Sequence, residues 1–109
     1  MIPAGVKAPV LQDIFLRRYT ATTRPFIPLH CDHAAVTLNV CLSGHENDKN
    51  PEAGALQRGG QLVALHADSV RVLHRGEGEA TAHTSALLHG VTRIHQGERH
   101  TMILFYEYT

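Results

Sequence analysis

Chemistry in this sequence is concentrated in the short run Leu29-His30-Cys31-Asp32-His33. In an extended backbone successive side chains alternate between faces, so His30 and Asp32 share one side and Cys31 takes the other. An imidazole beside a carboxylate is a donor pair suited to a divalent first-row metal. A third donor must come from far along the chain, and His89 supplies it best. His83 and His95 are its rivals. His83 ends a predicted strand and reads as a core histidine, while His95 stands too close to Arg99 to lie one strand back at the same mouth. Two histidines and one carboxylate on one side of an ion leave the remaining positions open, which marks a catalytic rather than a structural metal. Arg99, on the strand after His89, adds a planar guanidinium of the kind that grips a carboxylate.

Most of the other candidate donors have plainer readings. The chain carries nine histidines in 109 residues, scattered rather than clustered, and the majority should be surface groups. Cys31 and Cys41 are the only cysteines, too few for a disulfide framework, and they read as small buried hydrophobes. His33 reads as exposed.

The composition is that of one globular domain, with 43% hydrophobic and 18% charged residues. Ten basic residues cancel ten acidic ones, which argues against a nucleic-acid partner or an anionic membrane surface. No apolar run approaches the roughly 20 residues of a bilayer span, and the N-terminus lacks the apolar centre of a signal peptide. An intracellular, cytoplasmic location is the expectation.

The elements that must position these groups read as strands. Residues 1–9, with Pro3, Gly5 and Pro9, form an arm, and the domain runs over 10–109. Residues 10–20 tilt toward strand through their β-branched and aromatic content. A turn with Pro25 leads to a short extended approach over 26–30. Residues 34–43 are the clearest strand: Val36, Leu38, Val40 and Leu42 alternate with Thr37, Asn39 and Cys41. Asn39 is disfavoured in mid-strand and needs a polar interior. Residues 44–58 read as one long polar loop of the kind that forms a lid or binding loop. Further strands are expected at 61–66 and 69–74 (joined through Ala67-Asp68), 80–83, 89–94 and 99–108, with a turn over 95–98. The pattern predicts an all-β fold of about eight short strands, most naturally a jelly roll.

Taken together, His30-x-Asp32, Thr37-Leu38-Asn39-Val40-Cys41-Leu42-Ser43, Gly59-Gly60-x-Leu62, His89-Gly90-Val91 and Gly97-x-Arg99 resemble the Fe(II)/2-oxoglutarate dioxygenases. Within that superfamily the sequence is most similar to the prolyl 4-hydroxylase and procollagen lysyl hydroxylase group, over residues 15–108. The resemblance implies a double-stranded β-helix with His30, Asp32 and His89 holding Fe(II). It implies that Arg99 pairs with the distal carboxylate of 2-oxoglutarate, with Tyr19 and Thr101 adding hydroxyls and Asn39 and Thr37 lining the cosubstrate or substrate side. The activity implied is hydroxylation of a C–H bond in a peptide, protein or small-molecule substrate with O2, and it leaves room for ascorbate as a further cofactor.

One departure stands out. The family usually carries helices ahead of the first core strand, and little sequence precedes that strand here. The chain then reads as a minimal version, a fragment of a longer protein, or a protomer that covers its exposed sheet by pairing, and a homo-oligomer, most simply a dimer, is expected. The competing functions are a cupin-like metal protein without a keto acid and a non-catalytic β-barrel interaction fragment.

Overall fold

In the computed structural model, which describes residues 7–43 and 57–108, the chain is all-β and antiparallel. Ten strands follow in order among the described residues: β1 (Pro9–Tyr19), β2 (Ile27–His30), β3 (Val36–Cys41), β4 (Arg58–Gly59), β5 (Leu62–His66), β6 (Ser69–Val72), β7 (Ala80–Thr84), β8 (His89–Val91), β9 (Ile94–Gln96) and β10 (Arg99–Tyr108). They form one sheet in the order β1-β10-β3-β7 and a second in the order β2-β8-β5-β6, with β4 and β9 paired as a short third ribbon. Two four-stranded antiparallel sheets interleaved in this way are a double-stranded β-helix, as the resemblance implies. No helix among the described residues is long and apolar enough to cross a membrane.

The alternation on β3 decides what faces inward. Thr37, Asn39 and Cys41 are buried, whereas Val36, Leu38 and Val40 are half-buried on the other side. A polar face turned to the interior is costly unless its groups find partners. Asn39 finds one in Arg75, whose Nη1 donates to Asn39 Oδ1 and to the Asn39 carbonyl, both at 2.7 Å. The turn character of Arg75-Gly76-Glu77 hid this buried arginine, because local sequence does not reveal a partner on another strand.

The apolar core lies between the sheets at one end, where Tyr19, Leu62, Val91 and Ile94 pack with Ile27 and Leu73. The outer face of β1 has no such cover among the described residues: Ile14 and Leu16 are 52% and 70% exposed.

Several sequence expectations shift, among them the burial of Cys31, which is exposed because it faces away from the site side of His30 and Asp32. Residues 89–94 are not one strand. The chain crosses from the second sheet to the ribbon, so β8 ends at Val91 and β9 begins at Ile94, taking His95 and Gln96 out of the predicted turn. Gly59 permits the crossing, since it has φ +75° and a Cβ there would sit 2.1 Å from the Arg93 carbonyl oxygen. The strand predicted over 69–74 stops at Val72. The predicted loop over 44–58 falls outside the described residues except at its end, where Arg58 belongs to β4.

Candidate metal centre

Strand β2 would not present His30 correctly in a regular ladder. Ile27 pairs with Val91, so continuous antiparallel pairing would set Leu29 opposite His89 and turn His30 to the far face. A β-bulge inserts one extra residue, and His30 then lies directly opposite His89. Pro28, which has no amide hydrogen for the ladder, sits within the bulge. Gly90 lets the two strands close: a Cβ there would stand 2.7 Å from the Ile27 carbonyl oxygen. The two imidazoles end 4.4 Å apart between ring centroids.

Asp32 completes the set from the turn between β2 and β3. Donor atoms of His30, Asp32 and His89 all lie within 4.8 Å of one another. The Nε2 atoms of His30 and His89 stand 3.3 and 3.4 Å from the same oxygen, Asp32 Oδ1. The other oxygen, Oδ2, accepts a hydrogen bond from the Thr37 hydroxyl at 2.9 Å. Each imidazole is also tied from behind, His30 Nδ1 to the Pro28 carbonyl at 2.8 Å and His89 Nδ1 to the Leu87 carbonyl at 3.0 Å. A carbonyl only accepts, so each Nδ1 carries a proton and each ring turns its Nε2 toward the carboxylate.

Two imidazole nitrogens and a carboxylate oxygen gathered this closely are donors that a divalent first-row ion takes. The donor set therefore fits a metal ion. Two ligands about 2.1 Å from one ion lie roughly 3.0 Å apart in octahedral and about 3.4 Å apart in tetrahedral arrangement, which matches the observed separations. Burial pushes the His89 imidazole below the ordinary histidine range, opposed by its bond to Leu87 and the charge of Asp32. That keeps the ring neutral, the form that binds metals.

These groups open onto a cavity of about 240 Å³ between the two sheets. Tyr19, Thr37 and Asn39 share its wall with the three donors. Arg99 and Thr101 do not line it. Both are fully buried, and Arg99 stacks its guanidinium 5.0 Å from the Tyr19 ring centroid, its partner in the β1–β10 register. The Thr101 hydroxyl has no hydrogen-bond partner among the described residues. The structure thus brings His30, Asp32 and His89 together with Tyr19 and Asn39, and sets Arg99 and Thr101 behind the wall at the Tyr19 end.

Two further side chains stand near the centre: His83, a rival third donor that the sequence reads as core, and Arg17, which the sequence does not single out. His83 points inward from β7, 8% exposed, with Nε2 3.6 Å from Asp32 Oδ2. Its period-2 alternation with Thr81 along β7 is the local signal for that inward face. Arg17 lines the cavity from β1, its guanidinium 5.1 Å from the Phe15 ring centroid. The same alternation that turns Tyr19 inward carries Arg17 with it.

No protein-family model matches the chain, and no curated protein matches it. Among solved structures, it is similar to a 2OG-Fe(II) oxygenase family oxidoreductase from Burkholderia pseudomallei, with a TM-score of 0.72 at 16% identity. The match covers 95% of this chain and 47% of that one, so the chain spans about half the length of the structure it resembles. At that identity the likeness is one of fold, the double-stranded β-helix.

Proposed function

We propose that this chain is an Fe(II)- and 2-oxoglutarate-dependent oxygenase that hydroxylates a C–H bond of a peptidyl residue, as prolyl and lysyl hydroxylases do, with release of succinate and carbon dioxide. The observation that carries the reading is the convergence of the His30 and His89 Nε2 atoms on one oxygen of Asp32, with both Nδ1 atoms hydrogen-bonded to main-chain carbonyls. Fe(II) would be held by His30, Asp32 and His89. When bound, the ion together with the keto acid and O2 supplies the oxidising power that no side chain has.

The chain's own share is orientation. Thr37 fixes Asp32 Oδ2 and leaves Oδ1 toward the imidazoles. Tyr19 and Asn39 shape the wall against which a keto acid would lie. Arg99 is the proposed anchor of the distal carboxylate, and the buried Thr101 hydroxyl two residues on, without a partner among the described residues, is a donor suited to the same oxygen atoms.

The test is an anaerobic titration of metal-free protein with Fe(II) and then 2-oxoglutarate, following the visible charge-transfer band of a chelated keto acid. A saturable band, abolished by His30→Ala and weakened by Arg99→Ala, is expected. Fe(II) uptake with no band overturns the keto-acid reading. It would favour a metal-binding barrel without cosubstrate, a reading supported by the position of Arg99 behind the cavity wall.

A further inference from the structure

The sheet β1-β10-β3-β7 buries one face toward the cavity and has no covering layer on the other among the described residues. Register draws two apolar rows across that outer face. Leu16, Met102, Val40 and Ala80 form one, and Ile14, Leu104, Leu38 and Ala82 form the next. Leu16 and Ile14 are exposed at one edge, Ala80 and Ala82 are exposed at the other, and the side chains between them are half-buried. Arg18 follows Leu16 on the same face and closes it at one end, ion-paired to Glu98.

Strands of 11, 10, 6 and 5 residues, at about 3.4 Å per residue and about 4.8 Å apart, give this face roughly 500 Å² in projection. Soluble monomers rarely expose an apolar patch above roughly 300–600 Å². Side-chain relief adds to the projected area and carries it toward the roughly 800 Å² per partner of a stable interface. That relief is uneven. Leu16 and Ile14 make a ridge along β1, while Ala80 and Ala82 leave a trough along β7, the two edge strands of the sheet.

We propose that a second copy of this chain covers this face in a two-fold homodimer. A two-fold axis in the interface plane, running along the strands, sets β1 of each chain over β7 of the other. Each leucine and isoleucine ridge then fills the other chain's alanine trough, and the half-buried middle of the face packs on itself. Two sheets stacked about 10 Å apart and within about 30° of aligned make the core of a sandwich. The two apolar rows bring no like charges together, and Arg18 with Glu98 stays at the rim. Thr37 and Asn39, which line the cavity, belong to the opposite face of the sheet, so pairing does not involve the metal centre.

Sedimentation velocity of the whole chain over a range of micromolar concentrations tests this. The 12.0 kDa chain is expected to sediment at twice its mass. Leu16→Glu and Ala82→Glu, on opposite edges, should each weaken the dimer more than about 100-fold, because each buries an unpaired carboxylate. Val70→Glu, at a site 53% exposed on β6 of the second sheet, should leave it intact. Thermal melts establish folding, and Leu16→Ser or Ala82→Ser replaces a glutamate variant that fails to fold. A single-chain mass at every concentration overturns the proposal. A dimer that either edge substitution leaves intact overturns the arrangement of ridge on trough. Loss of the dimer with Val70→Glu, or open-ended association in place of a two-chain mass, overturns the closed pair. Fe(II) uptake by the Leu16→Glu monomer should match that of the native chain, so failure of the dimer leaves the oxygenase reading standing, and the reverse.

Discussion

Two cross-strand pairs, one in each sheet, use the same device for opposite ends. His30 and His89 face each other across β2 and β8, and Tyr19 and Arg99 face each other across β1 and β10. The second pair arises from regular pairing, is buried, and packs a guanidinium on an aromatic ring beside the apolar core. The first exists only because a bulge re-aims one strand, and the His30 side chain remains 37% exposed. Regular register thus builds a stabilising contact, while a local irregularity builds a ligand pair whose donors point at an anion. Bulges concentrate where a side chain must be redirected, and this one does so at the mouth of the cavity.

The comparison breaks most sharply at Asp32. Asp32→Ala should abolish saturable Fe(II) uptake, a loss of more than about 100-fold, because the only carboxylate of the set is gone. Calorimetric metal titration checks it, and the melting temperature of the metal-free variant should not fall. Tyr19→Ala should do the reverse. Truncating a buried aromatic ring is expected to cost about 3–5 kcal/mol in denaturant unfolding, while the protein that remains folded keeps its metal affinity. Equal effects of both variants on both measurements would erase the distinction between the two pairs.

Thr37→Val sharpens the picture with a smaller effect. It removes the hydroxyl that holds Asp32 Oδ2 without changing the shape of the side chain, and metal affinity should drop about 10- to 100-fold by the same titration. The smallest effect belongs to the Arg18–Glu98 ion pair, which lies on the exposed side of the strands that carry Tyr19 and Arg99. Glu98→Gln should leave both the melt and the metal titration unchanged, since exposed pairs contribute little after screening and side-chain entropy.

Much of this was legible in the sequence because it is local. The period-2 alternation of β3 identified Thr37, Asn39 and Cys41 as one face, and the misfit of Asn39 in a strand signalled that this face turns inward. His30 and Asp32 were legible by spacing, His89 by its distance from Arg99, and the all-β class by the recurrence of short strands between turns. Less legible were features that depend on a partner far along the chain. Arg75 read as a turn residue because its role is to satisfy Asn39 from another segment. His83 read as core because nothing near it in sequence announces Asp32.

The sequence by itself determined which residue types alternate, where turns interrupt them, and that His30 and Asp32 share one face of an extended segment. The tertiary structure decided register. Only strand pairing specified that β2 carries one residue too many against β8, that the chain leaves the second sheet after Val91, and that β7 brings His83 beside His89. The physical reason is that alternation follows from the backbone of a single strand, whereas a bulge or a crossing lowers free energy only through groups on a neighbouring strand.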